Sequence, residues 1–206
     1  MPSSRLTFLL WGTLFAGLIT VSLPFVKSLR QPSLPPLPKI SQLHNFTLTN
    51  QLGTQVSLAA LSNQVWVANI IFSRCPTQCR KLSRQMQTLQ VTLPSYVRLV
   101  TLTADPEFDT PNVLNRYSSQ YECNPDRWWF LSGTKRELYR LAIEDLKFTV
   151  LDSGKMGGPL EDLFIHSSDF AIIDQQGTLR GVVHGESVDA ENDVLACVTR
   201  LTSQSK

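Results

Sequence analysis

The chain is poor in charge. Only 17% of its 206 residues are Asp, Glu, Lys or Arg, and the formal net charge is +2. The Lys and Arg residues read as scattered over the sequence, without the basic stripe of a nucleic-acid binder, so no nucleic acid is expected as a partner. Cysteine is also scarce, with four residues. That is too few for a disulfide-stapled miniprotein, and a chain of this length needs no such staple. No internal repeat is evident. What is present is a hydrophobic fraction of 42%, enough for one cored domain plus a short appendage and too much for a disordered chain.

There is one long hydrophobic run. Residues 6–26, LTFLLWGTLFAGLITVSLPFV, hold no charged residue, with Arg5 before them and Lys27 and Arg30 after. A membrane-spanning helix needs about 20 mostly apolar residues. A cleaved leader is the rival, but its apolar core would be about 7–15 residues long and followed by a small-residue cleavage site. This run is longer and ends in Pro24, Phe25 and Val26. The expectation is therefore an uncleaved, single-pass anchor over residues 1–27. Cations on both flanks leave its orientation open. Residues 31–39, QPSLPPLPK, carry four prolines and cannot continue a helix, so 28–39 reads as an extended spacer. A folded domain is expected over 40–206.

Within that domain the periodicity alternates between strand and helix. HNFTLTNQLGTQVSLAAL reads as a β-hairpin about Gln51-Leu52-Gly53. VWVANIIF, residues 65–72, is a strand buried on both faces. SRCPTQCRKLSRQMQTLQ follows, with Leu82, Met86 and Leu89 at helical spacing and Pro76 placed in the first turn. VRLVTLTAD is a second buried strand. DTPNVLNRYSSQY is a helix capped by Asp109 or Thr110. RWWFLSG is a strand, TKRELYRLAIED a helix and DSGKMGGPL a glycine-rich loop. FAIIDQQGTLRGVVHG turns at Asp174–Gly177 as a hairpin, and ENDVLACVTRL closes the chain as a helix. This order predicts an α/β, thioredoxin-like domain, a central mixed sheet flanked by helices.

The chemistry-bearing motif is Cys75-Pro-Thr-Gln-Cys79 at a strand-to-helix junction. Unsatisfied N–H groups and the helix dipole favour a thiolate there, and the thiolate is the form that attacks disulfides or binds metal. Residues i and i+4 share a helix face, so both sulfurs reach one metal ion or each other. The thioredoxin spacing is one residue shorter. His166, in LFIHSSDFAIID, falls just before the last hairpin, in a loop that a thioredoxin-like fold turns toward the cysteines. Two thiolates and an imidazole suit copper, as Cu(I) or Cu(II), whereas a structural zinc site would need a fourth ligand. His44 and His184 read as surface residues, Met156 as an inert loop methionine, and Asp105 as a loop cap or a group orienting the site. Cys123 and Cys197 read as packed thiols, with a disulfide between them as the alternative in an oxidising compartment.

Taken together, FTLTNQLGTQVSL, IIFSRCPTQCRKLSRQM, LTADPEFDTPNVLNRY, DRWWFLSG and HSSDFAIIDQQGTLRG resemble the Sco/SenC family of cytochrome oxidase assembly proteins. The resemblance covers roughly residues 46–201. It implies a thioredoxin-like domain on a single N-terminal anchor and copper held by Cys75, Cys79 and His166. It further implies a client in the copper-bearing subunit of cytochrome c oxidase, or another cysteine-containing protein, served by copper delivery or by disulfide reduction through Cys75 and Cys79. With no Arg- and Ser-rich transit segment ahead of the anchor, a bacterial inner membrane with the domain in the periplasm is expected. Two departures stand out. Arg80 occupies the place where the family often has proline, and Arg74 precedes Cys75, and both cations are expected to favour thiolates. A peroxidase with a low-pKa cysteine is a further alternative.

Overall fold

The computed structural model describes residues 35–152 and 164–203, with the backbone alone for 151–152 and 164–166. The expected anchor, the first part of the spacer and Met156 lie outside the described residues. Among the described residues no helix is long and apolar enough to cross a membrane.

The described residues form ten strands and four α-helices: β1 Ser41–Gln42, β2 Thr47–Asn50, β3 Gln55–Ser57, β4 Trp66–Ile71, α1 Gln78–Thr92, β5 Arg98–Thr103, α2 Pro111–Ser119, β6 Trp128–Ser132, α3 Lys135–Tyr139, β7 Val150–Asp152, β8 Phe164–His166, β9 Asp169–Ile173, β10 Thr178–His184 and α4 Ala190–Ser203. Eight strands form one sheet in the order β1-β10-β9-β4-β5-β6-β2-β3. The centre, β4-β5-β6, is parallel, while β9 joins β4 antiparallel and β2 joins β6 antiparallel. β7 and β8 pair separately, with Val150 opposite His166.

β4 is buried at every position, as its nearly continuous apolar run, interrupted by Asn69, requires. Because strand side chains alternate, Val67 and Ile71 enter one core with Leu99, Trp128, Phe130 and Ile172. Trp66, Ala68 and Ile70 enter the other with Val100, Leu102 and Leu131. The first core is roofed by α1, through Leu82, Met86 and Leu89, and by α4, through Val194 and Val198. The second is closed by Leu138 of α3 and by Leu141 and Ala142. The sheet is thus covered on both faces, which suits a parallel centre made by right-handed crossovers.

Both expected hairpins are present. β2 and β3 turn through Gly53, whose φ of +81° glycine adopts without strain. β9 and β10 turn at Asp174, whose carboxylate accepts the Gln176 and Thr178 N–H groups at 2.9 Å each. The third expected helix is shorter than its sequence suggests. Regular α-helix ends at Tyr139, and Arg140–Asp145 form a π-helical turn. That turn places Asp145 where its carboxylate meets the His44 N–H and the Arg140 guanidinium.

Cys123 and Cys197 are thiols, half-buried against the core beneath α1 and α4. Burial pushes the Cys123 thiol up to about 12.

Candidate functional site

The site forms at the carboxyl ends of β4 and β5, where the parallel strands release their chains into loops. After β4 the chain turns at once, the Cys75 N–H donating to the Phe72 carbonyl at 3.1 Å. Helix α1 then begins at Gln78 behind Thr77. Pro76 and Cys75 therefore lie in the turn ahead of the helix, not in its first turn as the spacing suggested. The physical reason is that early turn, which uses the Cys75 N–H before helical bonding starts.

The two cysteines nevertheless meet. The Cys75 sulfur accepts the Cys79 N–H at 3.4 Å, and the Cys79 sulfur accepts the Phe72 N–H at 3.4 Å. Cys75 thus satisfies one of the orphan donors at the helix start. The two side chains are also within hydrogen-bonding contact of each other. Cys79 is fully buried and Cys75 nearly so, at 6% exposure.

The charges are arranged differently from the sequence-based expectation. Arg74 does not serve the sulfurs. Its Nη2 donates to Asp105 at 2.6 Å, and its guanidinium stacks on Phe108 at 4.3 Å. Asp105 accordingly holds Arg74 rather than a ligand. Arg80 faces outward from α1. The carboxylate whose charge acts on Cys79 is Asp109, fully buried. It accepts the Ser73 N–H at 3.0 Å, the Ser73 hydroxyl, and the Thr103 hydroxyl at 2.5 Å. Burial raises its carboxyl above the ordinary range despite those donors. Thr110 is the cap of α2, accepting the Val113 N–H.

Burial, the Cys75 side chain and the negative charge of Asp109 all raise the Cys79 thiol far above its ordinary value. The expectation that flanking arginines favour a thiolate fails at Cys79 because desolvation outweighs a cation already paired with Asp105. Behind Cys79, Tyr117 shares a hydrogen bond with Ser83 at 2.9 Å and receives one from Tyr121 at 3.3 Å. Its phenol is pushed up chiefly by burial.

His166 closes strand β8 instead of lying in a loop. Two residues on, Ser168 is hydrogen-bonded to Gln78, between the two cysteines, so the segment that carries His166 passes beside the motif. Glu186 joins the same cluster, accepting from Gln78 and Ser168 at 3.2 Å each. Gly185 supports it from behind, donating to the Ser168 carbonyl at 2.8 Å. A Cβ on Gly185 would run into that carbonyl oxygen and into Leu82 and Phe170. Gly185→Ala is therefore expected to destabilise the domain by about 1–3 kcal/mol and to loosen Ser168 from Gln78. Denaturant melts and the alkylation rate of Cys75 measure the two effects.

The remaining histidines have structural partners. His44 Nδ1 meets Asp145 at 2.7 Å and His184 Nδ1 meets Asp169 at 2.8 Å, which raises the His184 pKa. Asp109, Gln78, Ser168 and Tyr117 were not singled out as site residues from sequence. Three of them do sit in motifs the sequence showed: Gln78 inside the cysteine motif, Asp109 in the D-P-x-x-D-T-P run and Ser168 in the His-Ser-Ser that begins at His166.

The family model described as SCO1/SenC matches residues 37–203. The SCO1 protein homolog of Bacillus subtilis (strain 168) is 32% identical over 161 residues, covering 76% of this chain and 81% of the homolog. Among solved structures, BsSco, described as a member of the Sco family of cytochrome c oxidase assembly proteins with a disulfide switch, superposes with a TM-score of 0.69 at 28% identity. That match covers 82% of this chain and 98% of BsSco. Bradyrhizobium japonicum ScoI, solved with copper bound, superposes with a TM-score of 0.62 at 19% identity over 79% of this chain and 99% of its own, a likeness of fold. With a thioredoxin-like α/β domain, a buried cysteine pair at the β4–α1 junction and a family match across nearly all of that domain, the chain belongs to the SCO1/SenC family.

Proposed function

We propose that this chain is a membrane-tethered copper carrier for assembly of the copper centre of cytochrome c oxidase. Copper is its cargo, held by Cys75, Cys79 and His166. The observation that carries the reading is the contact of Cys75 with Cys79, two soft sulfur donors already side by side, with the His166 segment running past them through Ser168 and Gln78. Thiolates suit Cu(I), and an imidazole extends the set to Cu(II). Family membership supports the same reading, as do relatives described as copper-bound or as oxidase assembly proteins. In this reading the apolar run over residues 6–26 is the tether, and the domain faces the periplasm of a bacterial inner membrane.

Anaerobic copper titration of the reduced protein tests this, beside Cys75→Ala, Cys79→Ala and His166→Ala. The expected result is one-to-one binding. Either cysteine change lowers Cu(I) affinity by about 100-fold or more, since it removes one of two soft donors. His166→Ala weakens Cu(II) while leaving thiol reactivity in place. Equal binding by all four proteins would overturn the assignment.

The same contact favours a second reading, reduction of a client disulfide. One thiolate of the pair attacks the client S–S bond and forms a mixed disulfide. The other cysteine then displaces it, closing Cys75–Cys79 and releasing the client as a dithiol, with two electrons and two protons transferred. Weak copper binding together with a readily formed Cys75–Cys79 disulfide would favour this reading over the first.

A further inference from the structure

We infer that the outer face of α1 is a docking groove for an acidic segment of the client protein. The inference rests on the carrier reading and adds how the client is recognised. The sequence had its cations scattered, but α1 gathers three of them, Arg80, Lys81 and Arg84, at the cysteine end of one helix that contains no Asp or Glu. All three are exposed. Among the described residues none of them is in an ion pair, whereas Arg74, Arg140 and Arg180 each have a carboxylate. Positions i and i+4 stack on one helix face, so Arg80 and Arg84 act on the same strip of surface.

The surface is concave. Arg80, Lys81 and Arg84 line a groove of about 460 Å³ that starts at Pro76 and Thr77 and continues to Gln85 and Thr88. Gln85, only 7% exposed, donates its amide to the Gly185 carbonyl but leaves its side-chain oxygen without a partner. The cationic rim suits carboxylates. Glu191, from α4, also lines the groove and limits how much of it an acidic segment occupies. Because the groove begins between the two cysteines, its occupant is delivered to the Cys75 edge. This favours a protein segment over a lipid headgroup, for which that position has no use. Clustered cations of this kind raise encounter rates and select partners more than they add affinity.

The test uses the full-length chain in neutral detergent micelles and two fluorescein-labelled 12-residue peptides of matched length, one with six Glu and one with six Lys. Fluorescence anisotropy is expected to show the Glu peptide binding about 10-fold tighter at low salt, with the preference fading by 1 M salt, where the screening length falls to about 3 Å. Arg80→Glu/Lys81→Glu/Arg84→Glu is expected to abolish the preference, and the gentler Arg80→Gln/Lys81→Gln/Arg84→Gln to reduce it in a protein with unchanged far-UV circular dichroism. Equal binding of the two peptides by the parent, or a preference that survives both triple variants, overturns the proposal. So does a triple-variant effect seen only as lost association with phosphatidylglycerol-containing micelles, which would assign the groove to lipid. A chain that fails the copper titration yet keeps the peptide preference retains the docking surface and loses the carrier reading.

Discussion

Copper(I) uptake by the reduced protein is expected to release protons and to strengthen with pH, by about tenfold per pH unit for each proton displaced. The cause is the Cys79 thiol. Its sulfur is fully buried, touches Cys75 and faces the negative charge of Asp109, and each of these favours the protonated form. A metal must therefore displace that proton before it gains the thiolate. Isothermal titration in two buffers of different ionisation enthalpy counts the protons released, and competition with a Cu(I) chelator across pH 6–8 gives the slope. A pH-independent affinity with no proton release would show that the metal does not use Cys79 as a thiolate. The same shift bears on stability without metal. The folded-state pKa of Cys79 lies above its unfolded value of about 8.5. Its contribution is thus fully present below that pH. It is lost as pH rises, because the unfolded thiol ionises while the folded one does not. The apo protein is expected to melt at a lower temperature at pH 9.5 than at pH 7.5, and Cys79→Ala to lessen that drop.

Asp109→Ala is expected to cost roughly 2–4 kcal/mol of folding stability, since it strands buried hydrogen-bond donors. It removes the acceptor of the Ser73 N–H, the Ser73 hydroxyl and the Thr103 hydroxyl in one change. Those bonds tie the end of β5 to the residues just before Cys75. The loss should therefore reach the site as well as the melt. Alkylation of Cys75 is expected to quicken under conditions where the variant is still folded, because Ser73 no longer anchors the turn. Asp109→Asn tests the charge apart from the geometry. It keeps one acceptor oxygen but turns an amide toward donor groups, so it should fall between the parent and Asp109→Ala in stability. It also removes a negative charge that raises the Cys79 pKa, so its copper affinity at pH 7, measured by the same chelator competition, should not fall. A stability change below about 0.5 kcal/mol for Asp109→Ala would mean that water replaces the carboxylate without loss.

Much of this was legible in the residues. The nearly continuous apolar run of β4 announced a strand covered on both sides, and the alternation about Gly53 announced a hairpin. Leu82, Met86 and Leu89 fixed which face of α1 meets the sheet. These are local patterns, in which the burial of a residue follows from its neighbours along the chain. The cysteine pair was legible for the same reason, since a spacing of four is itself a local statement. The start of α1 was placed too early because a turn and a first helical turn share the same composition. Only the bond from Cys75 to the Phe72 carbonyl separates them.

The electrostatics could not be read this way. Arg74 stands beside Cys75 in sequence, yet its charge is taken by Asp105, 31 residues away. Asp109 reads as a helix cap but is drawn inward to Ser73 across the ends of two strands. Burial of Cys79, the largest influence on its thiol, is a sum over α1, β4 and their neighbours that no short window contains. The sequence determined that this is an α/β domain with a reactive cysteine pair at a strand-to-helix junction, because propensity and periodicity act over a few residues. Only the tertiary structure decided which carboxylate faces the sulfur, which cation is spent elsewhere and which cations are left to line a groove. Coulomb and desolvation energies depend on distances through space, and the fold sets those distances between residues far apart in the chain.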